Sequence, residues 1–309
     1  MPLAAAGLLL GEAAAAGRGV ASFNVITLEH VEAVIDGAER AGAPVIVQIS
    51  ENAVRYRAGA LLPLARAVTA AAEAADVPVA LHLDHVRDTE LLRRAADAGC
   101  GSVMIDASHL PYAENTALTR DAVTWAHDHG LWTEAELGQI GGKPGTPALD
   151  PHAPGARTDS AQAREFTAAT GVDALAVAIG STHAMATRSA ALDHALLARL
   201  AAAVPVPLVL HGASGVPDAE LARAVRGGIT KVNIGTALNA ALTAQTRRAL
   251  GADPGLTDPR RWLAPGRDAM ARVVAALIPP IHTPAARPAG HAPGRPATPA
   301  PPHPTEERR

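Results

Sequence analysis

Three histidines and one aspartate set the chemistry open to this 309-residue chain. His85, His183 and His211 each stand where a short apolar run gives way to a polar or glycine-rich cluster, in His82-Leu83-Asp84-His85, Gly180-Ser181-Thr182-His183 and His211-Gly212. A catalytic zinc ion takes three protein ligands and keeps one position open, and imidazoles from distant stretches can supply those ligands if the fold gathers them. A single histidine more often caps or hydrogen-bonds; the trio together carries the expectation. Asp84, beside His85, is suited either to capping a strand end or to moving a proton next to a metal. Strand alternation turns His82 to the side opposite His85, which reads it as structural. Two turns, Gly212-Ala213-Ser214-Gly215 and Asn233-Ile234-Gly235-Thr236, lead into helical stretches, where backbone N–H groups and the helix dipole favour an anion.

The elements that must position these groups follow a regular rhythm. Apolar runs at 20–25, 44–49, 78–83, 102–105, 131–137, 174–179, 207–210 and 231–234 read as buried parallel strands. Helical periods lie between them, at 28–41, 88–98, 113–129 and 218–226, with Gly42, Gly99, Gly130 and Gly227 placed for left-handed caps. Eight such units predict an α/β fold, a (β/α)8 TIM barrel spanning 1–278 as one domain. In that fold catalytic side chains project from the C-terminal ends of strands, where all the candidates above fall, and phosphate binds after strands 7 and 8. The Pro- and Gly-rich stretch 141–158 reads as an active-site loop, and 279–309, rich in Pro and Ala, as a disordered tail.

Composition narrows the partners. A formal charge of −3 without any dense Lys/Arg block argues against nucleic acid and anionic membranes and favours a small molecule. Cys100 is the single cysteine, so a disulfide framework and a multi-cysteine zinc site are excluded and a reducing, cytoplasmic location is expected. The apolar start around Leu3–Leu10 lacks a preceding basic residue and is broken by Glu12, which reads as a short amphipathic helix rather than a signal peptide. The lysines, Lys143 in the loop and Lys231 at the beginning of a strand, poorly supply a Schiff-base mechanism.

From about Gly7 to Ile278 the chain resembles the class II fructose-bisphosphate and tagatose-bisphosphate aldolases. The matching stretches include Ser22-Phe-Asn-Val25, His82-Leu-Asp-His85, Ser102-Val-Met-Ile-Asp106, Glu134-Ala-Glu-Leu-Gly138, Asp173 to Gly180, Pro207 to Gly215 and Lys231-Val-Asn-Ile234. The resemblance implies a zinc-dependent lyase of carbohydrate metabolism and glycolysis that releases dihydroxyacetone phosphate, working as a homodimer or homotetramer on a sugar phosphate. It assigns the zinc to His85, His183 and His211, proton transfer to Asp84, and a second divalent or a monovalent cation to Asp106 and Glu136. Dihydroxyacetone-phosphate contacts fall to Gly212, Ala213, Ser214, Asn233, Ile234, Gly235 and Thr236, and further substrate contacts to Asn24, Ser50 and Ala184.

The chain also departs from the family's pattern. Lys143-Pro144-Gly145 follows Gly141-Gly142 where the family carries acidic residues, including the carboxylate that exchanges the C3 proton; Asp150 or His152 could stand in. Ala184 and Ala186 replace a glycine and an aromatic, and Ala237 replaces a glutamate. These changes leave two further readings open: an aldolase for another phosphorylated keto-sugar, or a non-catalytic barrel that keeps the metal and phosphate sites.

Overall fold

The structure is a computed structural model that describes residues 3–138, 140–141, 156–183, 185 and 187–283. Most of the expected loop, Ala184 and Ala186, and the tail from 284 lie outside the described residues. The apolar runs form eight strands: β1 Val20–Asn24, β2 Val45–Ser50, β3 Val79–Val86, β4 Ser102–Ile105, β5 Trp132–Leu137, β6 Ala174–Val177, β7 Leu208–Leu210 and β8 Ile229–Ile234. Each pairs in parallel with the next, and β8 closes on β1, giving a (β/α)8 barrel.

Period-two alternation divides each strand between two environments. Outward residues such as Phe23, Val47, Leu81, Val103, Leu175, Leu210 and Val232 form one core with the surrounding helices. Inward residues are apolar at the floor, where Val20, Ile46 and Ala80 meet Leu9, Leu10 and Ala13 of the first helix, Ala6–Ala15. The short N-terminal helix therefore plugs the barrel bottom. Above it the interior is mostly polar: Ser22, Gln48, His82, Ser102, Glu134 and Lys231 are all buried, with the small apolar cluster Ala174, Ala176 and Val209 on β6 and β7. This departs from the Val/Ile/Leu filling common in such barrels, so the interior must be held by paired polar groups rather than by apolar packing alone.

Helices Leu28–Ala41 and Asp218–Arg226 occupy the expected spans. Gly42, Gly99 and Gly130 have positive φ, but Gly227 does not (φ −78°); the left-handed residue after that helix is Gly228 (φ +116°), one position later than expected. The last helix, Arg260–His282, runs past the expected domain boundary at 278, through Pro279 and Pro280. Ile281 is fully buried, and its carbonyl accepts from the backbone N–H of Gly19 at 2.9 Å, so the C-terminal turn of this helix docks beside the start of β1. Among the described residues no helix is long and apolar enough to cross a membrane.

Candidate metal and phosphate site

The inward-facing residues at the strand tops are Asn24, Ser50, Asp84, Asp106, Glu136, His211 and Asn233, one or more from nearly every strand. Strand alternation alone would send Asp84 and His85 to opposite faces. The backbone solves this at His85, which has a left-handed φ of +51° beside a register shift between Leu83 and Val86. This kink lets two adjacent side chains serve one cleft, as β-bulges do elsewhere at barrel rims. His82 faces the barrel interior, where its Nδ1 pairs with Ser102 Oγ at 2.8 Å; it lies below the cleft, in keeping with a structural role.

The three imidazoles come together. Ring centroids are 4.7 Å apart for His85 and His211, 5.1 Å for His85 and His183, and 5.8 Å for His183 and His211. One ligand atom from each lies within 4.8 Å of the others, so the trio could hold a metal ion. Close approach of the segment bearing His183 depends on Gly212: a Cβ there would stand 2.5 Å from the Thr182 carbonyl oxygen, and its φ is +67°. Asp106 and Glu136 sit behind two of the rings. Asp106 Oδ2 is 3.2 Å from His85 Nδ1, and Glu136 Oε2 is 3.0 Å from His211 Nδ1. Carboxylates in that position fix the tautomer and orientation of a ligating histidine.

Asp84 is fully buried and ends a hydrogen-bond chain that runs over the neighbouring strands β1, β2 and β3. Ser22 Oγ donates to Gln48, Gln48 Nε2 donates to Asn24 Oδ1 at 2.8 Å, and Asn24 Nδ2 donates to Asp84 Oδ2 at 2.8 Å. Its Oδ1 is buried without a hydrogen-bond partner among the described residues. Burial pushes the Asp84 pKa up, but the positive charges around it, those of His85, Lys231 and His211 foremost, outweigh it and hold the group below the usual range.

A cleft of about 270 Å³ opens above these groups. One wall is the expected anion cradle: Gly212, Ser214, Asn233, Gly235 and Thr236 line it, and Ser214 Oγ accepts from Gly235 N and Ala237 N at 3.3 and 3.2 Å. Both amide atoms of Asn233 are buried without a hydrogen-bond partner among the described residues. Ala213 and Ile234 are placed differently: their side chains belong to the hydrophobic core behind the cradle, leaving only their backbone to face a ligand. Ser50 lines the cleft and its Oγ also caps helix Glu51–Tyr56, while Ala184 lies outside the described residues.

Several groups in and beneath the cleft carry no signal in strand-end reasoning. Arg55 and Arg87 bring two guanidinium groups to the cleft. Glu51 organises both, pairing with Arg55 through one oxygen and accepting from the backbone N–H of Arg87 and Asp88 through the other. Lys231 is not remote from the polar groups, as its place near a strand start suggests. It is fully buried, and its Nζ donates to Glu134 Oε2 at 2.7 Å, while Glu134 Oε1 is 2.8 Å from His211 Nε2. Glu134 was detectable in principle, because it shares the inward face of β5 with Glu136.

Comparison with known proteins places this geometry in a family. The family model described as fructose-bisphosphate aldolase class-II matches residues 6–283. A fructose-bisphosphate aldolase of Thermus caldophilus is 39% identical over 289 residues, covering 86% of this chain and 93% of that protein. The crystal structure of the YdjI aldolase from Escherichia coli K12 superposes with a TM-score of 0.78 at 33% identity, over 91% of this chain and 98% of that one. A fructose-bisphosphate aldolase from Campylobacter jejuni, at 22% identity and a TM-score of 0.75 over 89% of this chain and 93% of that one, shares the fold. The chain therefore belongs to the class II fructose-bisphosphate aldolase family and is a lyase.

Proposed function

We propose that the chain reversibly cleaves a ketose 1,6-bisphosphate, fructose or tagatose bisphosphate, to dihydroxyacetone phosphate and an aldehyde phosphate in a zinc-dependent reaction. The observation that carries this reading is the convergence of His85, His183 and His211 within 4.8 Å of one another beside the buried carboxylate Asp84. Three imidazole rings, two of them backed by carboxylates, offer the nitrogen ligands that suit a divalent ion of zinc's softness. When bound, zinc supplies Lewis-acid stabilisation for the negative charge that develops on the ketose fragment.

The remaining work falls to side chains of the chain itself. Asp84 accepts the C4 hydroxyl proton as the C3–C4 bond breaks and returns it to the aldehyde in condensation; the enediolate left on the other fragment takes a proton at C3 from solvent and leaves as dihydroxyacetone phosphate. Asn24 holds Asp84 in place for that transfer. The cradle of Gly212, Ser214, Gly235 and Thr236 takes the C1 phosphate, near the N-terminus of helix Thr236–Ala252. Asn233, both of whose amide atoms lack a hydrogen-bond partner among the described residues, is suited to hydrogen-bond a substrate oxygen. Arg55 and Arg87 suit a second anionic group, which favours a bisphosphate. The same reading places the enzyme in the cytoplasm as a homodimer or homotetramer.

The test is a coupled cleavage assay on fructose and tagatose bisphosphates with parallel metal analysis, before and after chelation. Cleavage that vanishes on chelation and returns with added zinc is expected. Cleavage that survives complete metal removal overturns the proposal, as does metal-loaded protein that cleaves neither sugar.

A further inference from the structure

Four fully buried groups, Lys231, Glu134, Glu136 and His211, form a connected chain across the barrel interior. Lys231 Nζ bonds Glu134 Oε2 at 2.7 Å, Glu134 Oε1 meets His211 Nε2 at 2.8 Å, and His211 Nδ1 meets Glu136 Oε2 at 3.0 Å. The two glutamates lie on β5 and the histidine follows β7, so β6 stands between them. Their register partners on β6 are Ala174 and Ala176, and these methyl groups are small enough for the glutamate side chains to reach over. Burying several charges this way is costly unless each is paired, and Lys231, Glu134 and Glu136 do not line the substrate cleft. The cluster needs a purpose other than substrate contact.

His211 has a carboxylate on each ring nitrogen. To ligate a cation it must present one nitrogen, so the carboxylate on that side has to yield while the other keeps the ring oriented. Lys231 is the group that governs the balance, because it grips Glu134 through the oxygen His211 does not use. We propose that Lys231 is a positioning residue of the metal centre: by anchoring Glu134, it sets how His211 is presented and thereby fixes the metal affinity of the three-histidine site. This rests on the metal-centre reading proposed above and adds a determinant outside the ligand set. It also gives the buried lysine a role unrelated to Schiff-base chemistry.

The test uses cobalt(II) as the probe, titrated into the full-length chain against a competing chelator, with the visible d–d spectrum as second readout. Lys231→Met should weaken cobalt binding ~10–100-fold, the range found when outer-shell partners of metal ligands are lost, and should change the spectrum. Removing the anchored charge as well, in Lys231→Met/Glu134→Gln, should restore affinity to within a few-fold of wild type. If Lys231→Met does not fold, Lys231→Gln keeps a donor to Glu134 without the charge and should shift binding in the same direction. Wild-type affinity and an unchanged spectrum in whichever single variant folds overturn the inference, as does a double variant no better than the single one. A wild-type chain that shows no histidine-dependent cobalt binding overturns the metal-centre reading itself, and this inference with it.

Discussion

Asn24 Nδ2 donates to Asp84 Oδ2 across 2.8 Å, tying the end of β1 to the one carboxylate that stands next to the histidine cluster in sequence. If Asp84 moves the substrate proton, Asp84→Asn should lower kcat by ~10²–10⁴, the usual contribution of a positioned acid–base group, with zinc content unchanged. Asn24→Ala leaves the carboxylate but removes its partner, and a hydrogen bond to a charged group is worth about 1.5–3 kcal/mol. Its kcat should therefore fall less than that of Asp84→Asn. Steady-state kinetics with metal analysis on both proteins decides; a larger loss in Asn24→Ala would move the catalytic role away from Asp84.

Asp106 engages His85 Nδ1 at 3.2 Å, the Arg87 guanidinium at 3.5 Å and the Ser108 hydroxyl at 2.8 Å. Asp106→Asn keeps the shape while weakening its hold on the imidazole. Zinc affinity measured by competitive chelation should drop ~10–100-fold, with the melting temperature little changed. Unaltered zinc affinity would show that His85 is oriented by its backbone alone.

Much of this arrangement was legible before any fold was known, and the exceptions have physical causes. Alternating apolar runs and glycine caps imply the barrel because parallel strands buried on both faces leave few other patterns. His183 and His211 follow apolar runs and could be placed at the mouth from that alone. The joint presence of Asp84 and His85 in one cleft was legible through the family resemblance and not through strand periodicity, since alternation forbids it and the positive φ at His85 permits it. The Lys231–Glu134–His211 chain could not be read, because nothing in the order of residues says that β5 side chains pass over the alanines of β6 to reach β7. Gly228 takes the left-handed turn expected of Gly227 because either of two adjacent glycines can adopt it.

Arg55 and Arg87 share a wall of the cleft and are both organised by Glu51. If that wall receives the second phosphate, Arg87→Met should raise KM for a ketose 1,6-bisphosphate by ~10-fold or more, given about 1.5–3 kcal/mol for a charge-assisted hydrogen bond. The corresponding ketose 1-monophosphate should be turned over with nearly unchanged KM. Equal effects on the two substrates would assign the arginine to the site's general electrostatics instead.

His82 offers a stability test independent of catalysis. Burial lowers its pKa to about 3, helped by the Lys231 and His211 charges and opposed by Glu134 and Asp84. Its Nδ1 pairs with Ser102, and its Nε2 has no hydrogen-bond partner among the described residues. The folded protein thus keeps this imidazole neutral well below the pH at which the unfolded chain protonates it, near 6.5. Between pH 6.5 and about 3 the unfolded state binds the extra proton, so stability falls as the pH falls, by up to roughly 1.4 kcal/mol per pH unit from this group. Above pH 6.5 the group contributes no slope. His82→Gln removes the titration while leaving a polar group for Ser102. Urea unfolding at pH 7 and pH 5 should therefore show the wild type losing about 2 kcal/mol more than the variant over that interval. Parallel losses in the two proteins would mean that the imidazole is protonated in the folded barrel, and that the polar interior around Lys231 is less sealed from water than its burial implies.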